Sequence, residues 1–206
     1  MFPAASRPAI GAILAGGASR RFGSPKALAT IGGRTVIERA RDAMHEAGLE
    51  PRLITHRPEW FAGLGLPTRG DKISGVGPLG GIHAAVEWAA QERRPGALCV
   101  SCDMPFLHPG LLRALVGGGS EHAVAVPESG GRRGIEPLCA YYPVSCLPQI
   151  ENHLARGSYR LVDLLDAVPT RRIPLAEVRR WGEPEHIFLN LNTPEDHRRA
   201  EALALA

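Results

Sequence analysis

The chain has 206 residues, 44% of them hydrophobic and 22% charged, with a formal net charge of +3. That length predicts one domain over residues 1–206, large enough to bury about 70% of its unfolded surface without a disulfide or metal staple. The apolar content and small charge exclude a disordered chain, and no uncharged apolar run reaches the ~18 residues of a membrane span. The basic residues are skewed: Lys26 and Lys72 are the only lysines, and the other 22 of 24 are arginine. Such a skew suggests codon bias toward arginine, so each lysine is worth locating.

Taken in order, the first element is a buried strand over Ala9–Leu14 that stops at Ala15-Gly16-Gly17. Arg7 followed by Pro8–Ala15 imitates a signal peptide. Its apolar core is brief and glycine-interrupted, however, so it is read as a strand. A helix is predicted from about Thr35 to Ala47, with capping-box spacing from Thr35 to Glu38 and Gly48 just past its end. Arg52–Thr55 reads as a second strand. Gly70–Gly77 is a glycine-rich loop, begun by Asp71 at the end of a short strand, and Pro78 opens a helix to about Arg93. Ala97–Cys102 is the third strong strand, followed by Asp103-Met104-Pro105 and a helix from about Pro109. Ala123–Pro127 and Leu138–Tyr142 are strands around a turn at Gly130–Gly134. Helical segments follow near Val144–Ala155 and Tyr159–Ala167, then a short strand at Arg171–Pro174. His186–Leu191 is predicted as a late strand. Thr193-Pro194-Glu195-Asp196 opens a final helix with an N-cap, a proline at N1 and acids in the first turn.

This alternation predicts an α/β fold with a mostly parallel sheet, and ligands of such sheets bind outside the carboxyl ends of the strands. Three loops lie at those ends: residues 15–27, 70–78 and 103–105. Other classes fit less well. The four cysteines offer one C-x-x-C pair (Cys99, Cys102) with no second pair to complete a zinc site, which reads as half-buried strand thiols in a reducing cytoplasm. The arginine doublets are dispersed and aromatics make up only 5%, so no basic stripe with stacking aromatics points to nucleic acid.

The first loop runs Leu14-Ala15-Gly16-Gly17-Ala18-Ser19-Arg20-Arg21-Phe22-Gly23-Ser24-Pro25-Lys26-Ala27-Leu28. Glycines let backbone N–H groups approach a phosphate closely, and Arg and Lys add charge-assisted bonds to its oxygens. It is neither a Walker A loop nor a dinucleotide fingerprint, because G-x-x-x-x-G-K-[ST] and G-x-G-x-x-G are both missing. The second strand ends Ile54-Thr55-His56, without the acid that would hold a ribose. Asp103 directly follows an apolar strand, where a carboxylate suits Mg²⁺ held by one or two acids plus phosphate and water. A helix-capping or turn aspartate is the competing reading there and at Asp71. Lys72 either neutralises phosphate or faces solvent.

These residues carry a resemblance. The Leu14–Leu28 segment resembles the signature loop of nucleotidyltransferases, and of the molybdenum cofactor guanylyltransferases in particular. Gly77-Pro78-Leu79-Gly80-Gly81-Ile82, Cys102-Asp103-Met104-Pro105, Glu136–Tyr142 and Asn190–Asp196 are similar to that family's later motifs, in order and over nearly the whole chain. The resemblance implies a Rossmann-like three-layer sandwich. It also implies that GMP passes from GTP to the terminal phosphate of molybdopterin, with pyrophosphate leaving. Leu14, Ala15, Gly16 and Gly17 would bind the guanine nucleotide, Lys26 and Arg21 its phosphates, Asp71 the nucleotide, and Asp103 would ligate Mg²⁺. Gly80, Arg160, Asn190 and Asn192 fall where the family holds the pterin. The chain is expected to be a cytoplasmic monomer that delivers its product to a molybdoenzyme or its chaperone, without nucleic-acid or membrane partners. Two departures leave the base open between GTP and CTP. Pro25 precedes Lys26, as in cytidylyltransferases, which conflicts with Gly16-Gly17 where those relatives tend to have Ala-Gly, and Ile54-Thr55-His56 lacks the asparagine that often follows the family's second strand. Cytidylyl transfer and a non-catalytic nucleotide-binding module are the alternatives.

Overall fold

A computed structural model describes residues 8–16, 26–71, 73, 75–119, 121–131 and 134–205. An interior strand of its sheet is β1 (Ile10–Leu14), a five-residue run with every residue buried. Strands covered on both faces read as continuous apolar runs because neither face meets water. β1 pairs in parallel with β4 (Glu50–Ile54) on one side and β6 (Gly96–Ser101) on the other, so that Leu14 aligns with both Ile54 and Ser101. Between them in sequence come the small hairpin β2 (Thr30–Ile31) and β3 (Arg34–Thr35), then helix α1 (Val36–Glu46). A 3-10 segment (Pro58–Leu64), β5 (Thr68–Arg69) and α2 (Pro78–Gln91) complete the first half.

The second half adds α3 (Pro109–Gly118), β7 (Val124–Pro127), β8 (Cys139–Pro143), α4 (Leu147–Ala155), α5 (Leu161–Ala167) and β9 (Thr170–Ile173). Short helices α6 (Leu175–Val178) and α7 (Pro184–Ile187) lead to α8 (Pro194–Leu205). The seven-stranded sheet runs β5-β4-β1-β6-β8-β7-β9, and β8 alone is antiparallel to its neighbours. The α/β fold with a mostly parallel sheet is therefore as expected.

Period-two alternation along the strands feeds two cores. Ile13, Leu53, Leu98 and Val100 pack under α1 and α3, with Ile37, Met44, Leu111 and Leu115. Ile10, Ala12, Ile54 and Cys99 face the other layer, with Leu79 and Ile82 from α2, Ile150 from α4 and Leu164 from α5. Gly11 permits the tight fit of α1, since a Cβ there would lie 2.7 Å from Met44 Sδ. Two buried guanidiniums, Arg52 and Arg94, are paired at the amino ends of the strands with Glu92 and Glu50, at 2.5 and 2.7 Å.

One predicted element is corrected. His186–Leu191 is not a strand: α7 covers Pro184–Ile187, and the chain then runs without joining the sheet. Pro184 at N1 preorganises a helical turn, and the N–H groups of His186 and Ile187 donate to Glu183 O. The apolar run is nonetheless buried. Leu189 and Leu191 pack with Ile31, Val36 and Ala200, which explains why it imitates a strand in sequence.

Candidate active site

A cavity of about 580 Å³ opens at the carboxyl ends of β1, β4, β5 and β6. Its wall includes Leu14, Ala15, Gly16, Lys26, Asp71, Cys102 and Asp103. A second cavity of about 600 Å³ lies at the other end of the strands, lined by Arg41, His45, Glu50 and Arg52 among others. It is away from the strand ends where parallel sheets bind ligands, and its guanidiniums Arg41 and Arg52 are already engaged by carboxylates.

The backbone sets the floor of the first cavity. Ala15 N–H donates to Ile54 O at 2.8 Å, Cys102 N–H to Leu14 O at 3.2 Å, and Thr55 Oγ1 to Ala15 O at 3.0 Å. The ends of β1, β4 and β6 are thereby tied together. Ala15 has no N–H left for a ligand, so a further bond there must be accepted by its carbonyl.

Asp103 follows β6 by two residues. Ser101 Oγ donates to its Oδ1 at 2.5 Å, which fixes the carboxylate, and Leu191 N–H donates to Asp103 O at 3.0 Å. Lys26 begins a 3-10 turn (Lys26–Leu28), and its Nζ donates to Asn192 Oδ1 at 2.9 Å. Asn192 is held in turn by Asp196, whose Oδ2 accepts from the N–H groups of Asn192 and Thr193 at 2.9 and 2.8 Å. Burial alone would raise Asp196, but the bonds from Thr193 Oγ1 and these two N–H groups, with Lys26 nearby, hold its carboxyl below the usual range. Burial pushes the Cys102 thiol up to about 12, and the Asp103 carboxylate adds to the effect, so it stays protonated at neutral pH.

Asp71 sits across the cavity, just beyond β5. Its side chain is largely buried, and His56 Nε2 contacts its Oδ1. Two glycines make room for it: a Cβ on Gly80 would lie 3.3 Å from Asp71 Oδ2, and one on Gly16 would lie 4.0 Å away.

Six of the predicted residues therefore share one cavity: Leu14, Ala15, Gly16, Lys26, Asp71 and Asp103. Asn192 joins them through Lys26, and Gly80 lies behind Asp71. Asn190 and Arg160 are not in the wall. Asn190 Nδ2 donates to Phe188 O at 3.0 Å, and exposed Arg160 pairs with Asp163 at 3.8 Å. Gly17, Arg21 and Lys72 lie outside the described residues. The cavity also takes in Thr55, His56, Trp60, Phe61 and Leu138, which sequence reading did not select. Ile54-Thr55-His56 was read only for the acid and the asparagine it lacks, and Trp60 follows it by four residues.

As a metal site, the donor set is sparse. Among the described residues no group of three or more His, Cys, Asp or Glu could hold an ion. One oriented carboxylate, Asp103, suits a hard cation that completes its shell with phosphate oxygens and water. No helix among the described residues is long and apolar enough to cross a membrane.

Residues 11–171 match the model of the MobA-like NTP transferase domain. This chain belongs to that family. The probable molybdenum cofactor guanylyltransferase of Pelotomaculum thermopropionicum is 36% identical, over 95% of this chain and 93% of its own. The molybdenum cofactor guanylyltransferase of Desulfosudis oleivorans is 35% identical, over 93% and 94%. Among solved structures, molybdopterin-guanine dinucleotide biosynthesis protein A from Archaeoglobus fulgidus superposes with a TM-score of 0.76 at 25% identity, covering 95% of this chain and 98% of that one. MobA-like transferases are nucleotidyltransferases, which agrees with a cavity carrying an ammonium and an oriented carboxylate.

Proposed function

We propose that this chain transfers GMP from GTP to the terminal phosphate of molybdopterin, forming the guanine dinucleotide cofactor and pyrophosphate. The observation that carries the reading is the placement of Lys26 and Asp103 in one cavity at the strand ends, in a chain whose full-length relatives bear the guanylyltransferase name. An oxygen of the acceptor phosphate attacks the α-phosphorus in line, the bond to the bridging oxygen breaks, and pyrophosphate departs with that oxygen. Such transfers need positioning and charge neutralisation more than proton transfer. Lys26 offsets the charge on the leaving phosphates, helped by Arg21. Gly16 and Gly17 bring backbone to the nucleotide, and Asp71 holds it. A divalent cation, Mg²⁺ in our reading, would be held by Asp103 and would supply Lewis-acid stabilisation of the phosphates. Asn192, bonded to Lys26, stands on the acceptor side, and Gly80, Asn190 and Arg160 belong to the pterin end. We read the chain as one cytoplasmic domain that acts as a monomer and hands its product to a molybdoenzyme or its chaperone; four free cysteines suit a reducing compartment.

Pyrophosphate release with GTP, and with CTP in parallel, with and without molybdopterin, tests the reading. Asp103→Ala should lower release at least about 100-fold, as losing a transition-state electrostatic contact does, with circular dichroism unchanged. Release that is faster with CTP, or equal in the Asp103→Ala protein, would overturn the base assignment or the metal assignment respectively.

A further inference from the structure

Among the described residues, Trp60 is one of four large apolar side chains left exposed, at 47%. It is held in place from below. The 3-10 segment Pro58–Leu64 buries Phe61 in the core, and Trp60 N–H donates to Arg57 O at 3.2 Å. The indole forms part of the cavity wall, and the Arg57 guanidinium lies over its ring, 5.5 Å from the centroid. What singles Trp60 out is its place rather than its exposure: it lines the cavity, where its aromatic ring is available to an occupant.

The cavity is chemically two-ended. Lys26, Asp103 and Asn192 cluster at the β1–β6 side, whereas Trp60, His56 and Ile54 belong to β4 and the segment after it. With strands about 4.8 Å apart, β4 and β6 are separated by about 10 Å. A nucleotide spans such a distance with its base at one end and its polyphosphate at the other. Resting on the function proposed above, we propose that Trp60 is the stacking platform for the purine base of the donor nucleotide. Arg57, 5.5 Å from the ring centroid, adds its charge to the stack. Stacking has no hydrogen-bond code, so Trp60 supplies affinity for a planar bicyclic base, and discrimination by pattern falls to neighbours such as His56 and Asp71.

The test uses binding alone, so it does not depend on turnover. Calorimetry with GTP and with inorganic triphosphate is run on the unmodified protein, Trp60→Leu and Trp60→Phe, with thermal melts to confirm folding. Trp60→Leu should weaken GTP binding about tenfold or more, by loss of one base–aromatic stack. Trp60→Phe should keep most of the affinity, and triphosphate binding should be equal in all three. GTP should also quench a tryptophan signal that Trp60→Leu lacks. Equal GTP affinity in Trp60→Leu would overturn the proposal, as would parallel loss of triphosphate binding. Weakened molybdopterin binding with GTP unaffected would assign the indole to the pterin and overturn it too. A protein that stacks GTP on Trp60 but makes no product with molybdopterin would leave this proposal standing and sink the proposed reaction.

Discussion

Replacing Asn192 with alanine isolates one contact. The substitution removes the Oδ1 that accepts from Lys26 Nζ at 2.9 Å, and nothing else that holds the segment. Asn192 N–H still donates to Asp196, as does Thr193 N–H, so the start of α8 stays capped. Stability should therefore change by less than about 0.5 kcal/mol, the range of surface substitutions away from such features. What changes is the orientation of the Lys26 ammonium: misplacing a group by about 1 Å can cost about 100-fold in rate, and a lysine that keeps its charge and stem is expected to lose about half of that in free energy, about 1.4 kcal/mol. At about 1.4 kcal/mol per decade, kcat/KM for pyrophosphate release should fall about tenfold.

The decisive assay is a double-mutant cycle with Lys26→Ala. If Asn192 acts by positioning Lys26, the double variant is no slower than Lys26→Ala alone, because the contact is already gone. Two additive losses would show that Asn192 serves something other than Lys26 and would refute the reasoning. A rise in GTP affinity in Asn192→Ala would refute it differently, by showing that Asn192 competes with phosphate for the ammonium.

Two further predictions concern the scaffold. Thr35→Ala breaks the capping box of α1, in which Thr35 Oγ1 accepts from Glu38 N–H at 3.4 Å and Glu38 Oε2 accepts from Thr35 N–H at 2.9 Å, and it should cost about 1 kcal/mol in denaturant melts. The bond from Thr35 Oγ1 and then that from Thr35 N–H lower the Glu38 carboxyl, so its contribution is present above the unfolded value near 4.5 and is lost as pH falls through the folded one. The unmodified protein should lose stability more steeply than Thr35→Ala below about pH 4.5; parallel acid limbs would contradict this. Gly96→Ala, at the end of β6 remote from Asp103, would place a Cβ 2.4 Å from Tyr142 O and 2.6 Å from Tyr141 Oη. Overpacking costs about 1–3 kcal/mol, or several degrees of Tm for a chain of this size, with turnover per folded molecule retained. A melting point within a degree of the parent would count against the packing described.

The sequence already carried those features whose cause is local. Thr35, Glu38 and Gly48 announce α1 because capping chemistry is written within a few residues, and the structure shows both bonds of the box with Gly48 at φ +79°. Asp103 could be placed at the sheet edge because an apolar strand ends just before it. His186–Leu191 misled because burial and strand pairing leave the same apolar signature, and only tertiary packing against Ile31 and Val36 separates them. Trp60 was illegible for the opposite reason. Nothing local says that the crossover after β4 folds back over the strand ends. The bond between Lys26 and Asn192 joins residues 166 apart in sequence, which no spacing argument reaches.

The last of these bonds also bears on where the functional unit ends. The family model stops at residue 171, yet Leu191 and Asn192 bond Asp103 and Lys26. Both contacts depend on a chain of local causes: Pro184 starts α7, Leu189 and Leu191 are buried against α1 and the hairpin, and Asp196 caps α8. Residues 184–205 therefore pack back onto the cavity that holds Lys26 and Asp103 rather than trail from it. The two relatives compared above align over more than nine-tenths of this chain, so their similarity runs well past residue 171. On the strands, β1 and β6 bring Leu14 and Asp103 together through the sheet, with a geometry that any parallel α/β fold provides. What is particular to this one is the C-terminal arm, which bonds Asn192 to Lys26 and Leu191 to Asp103 at the cavity.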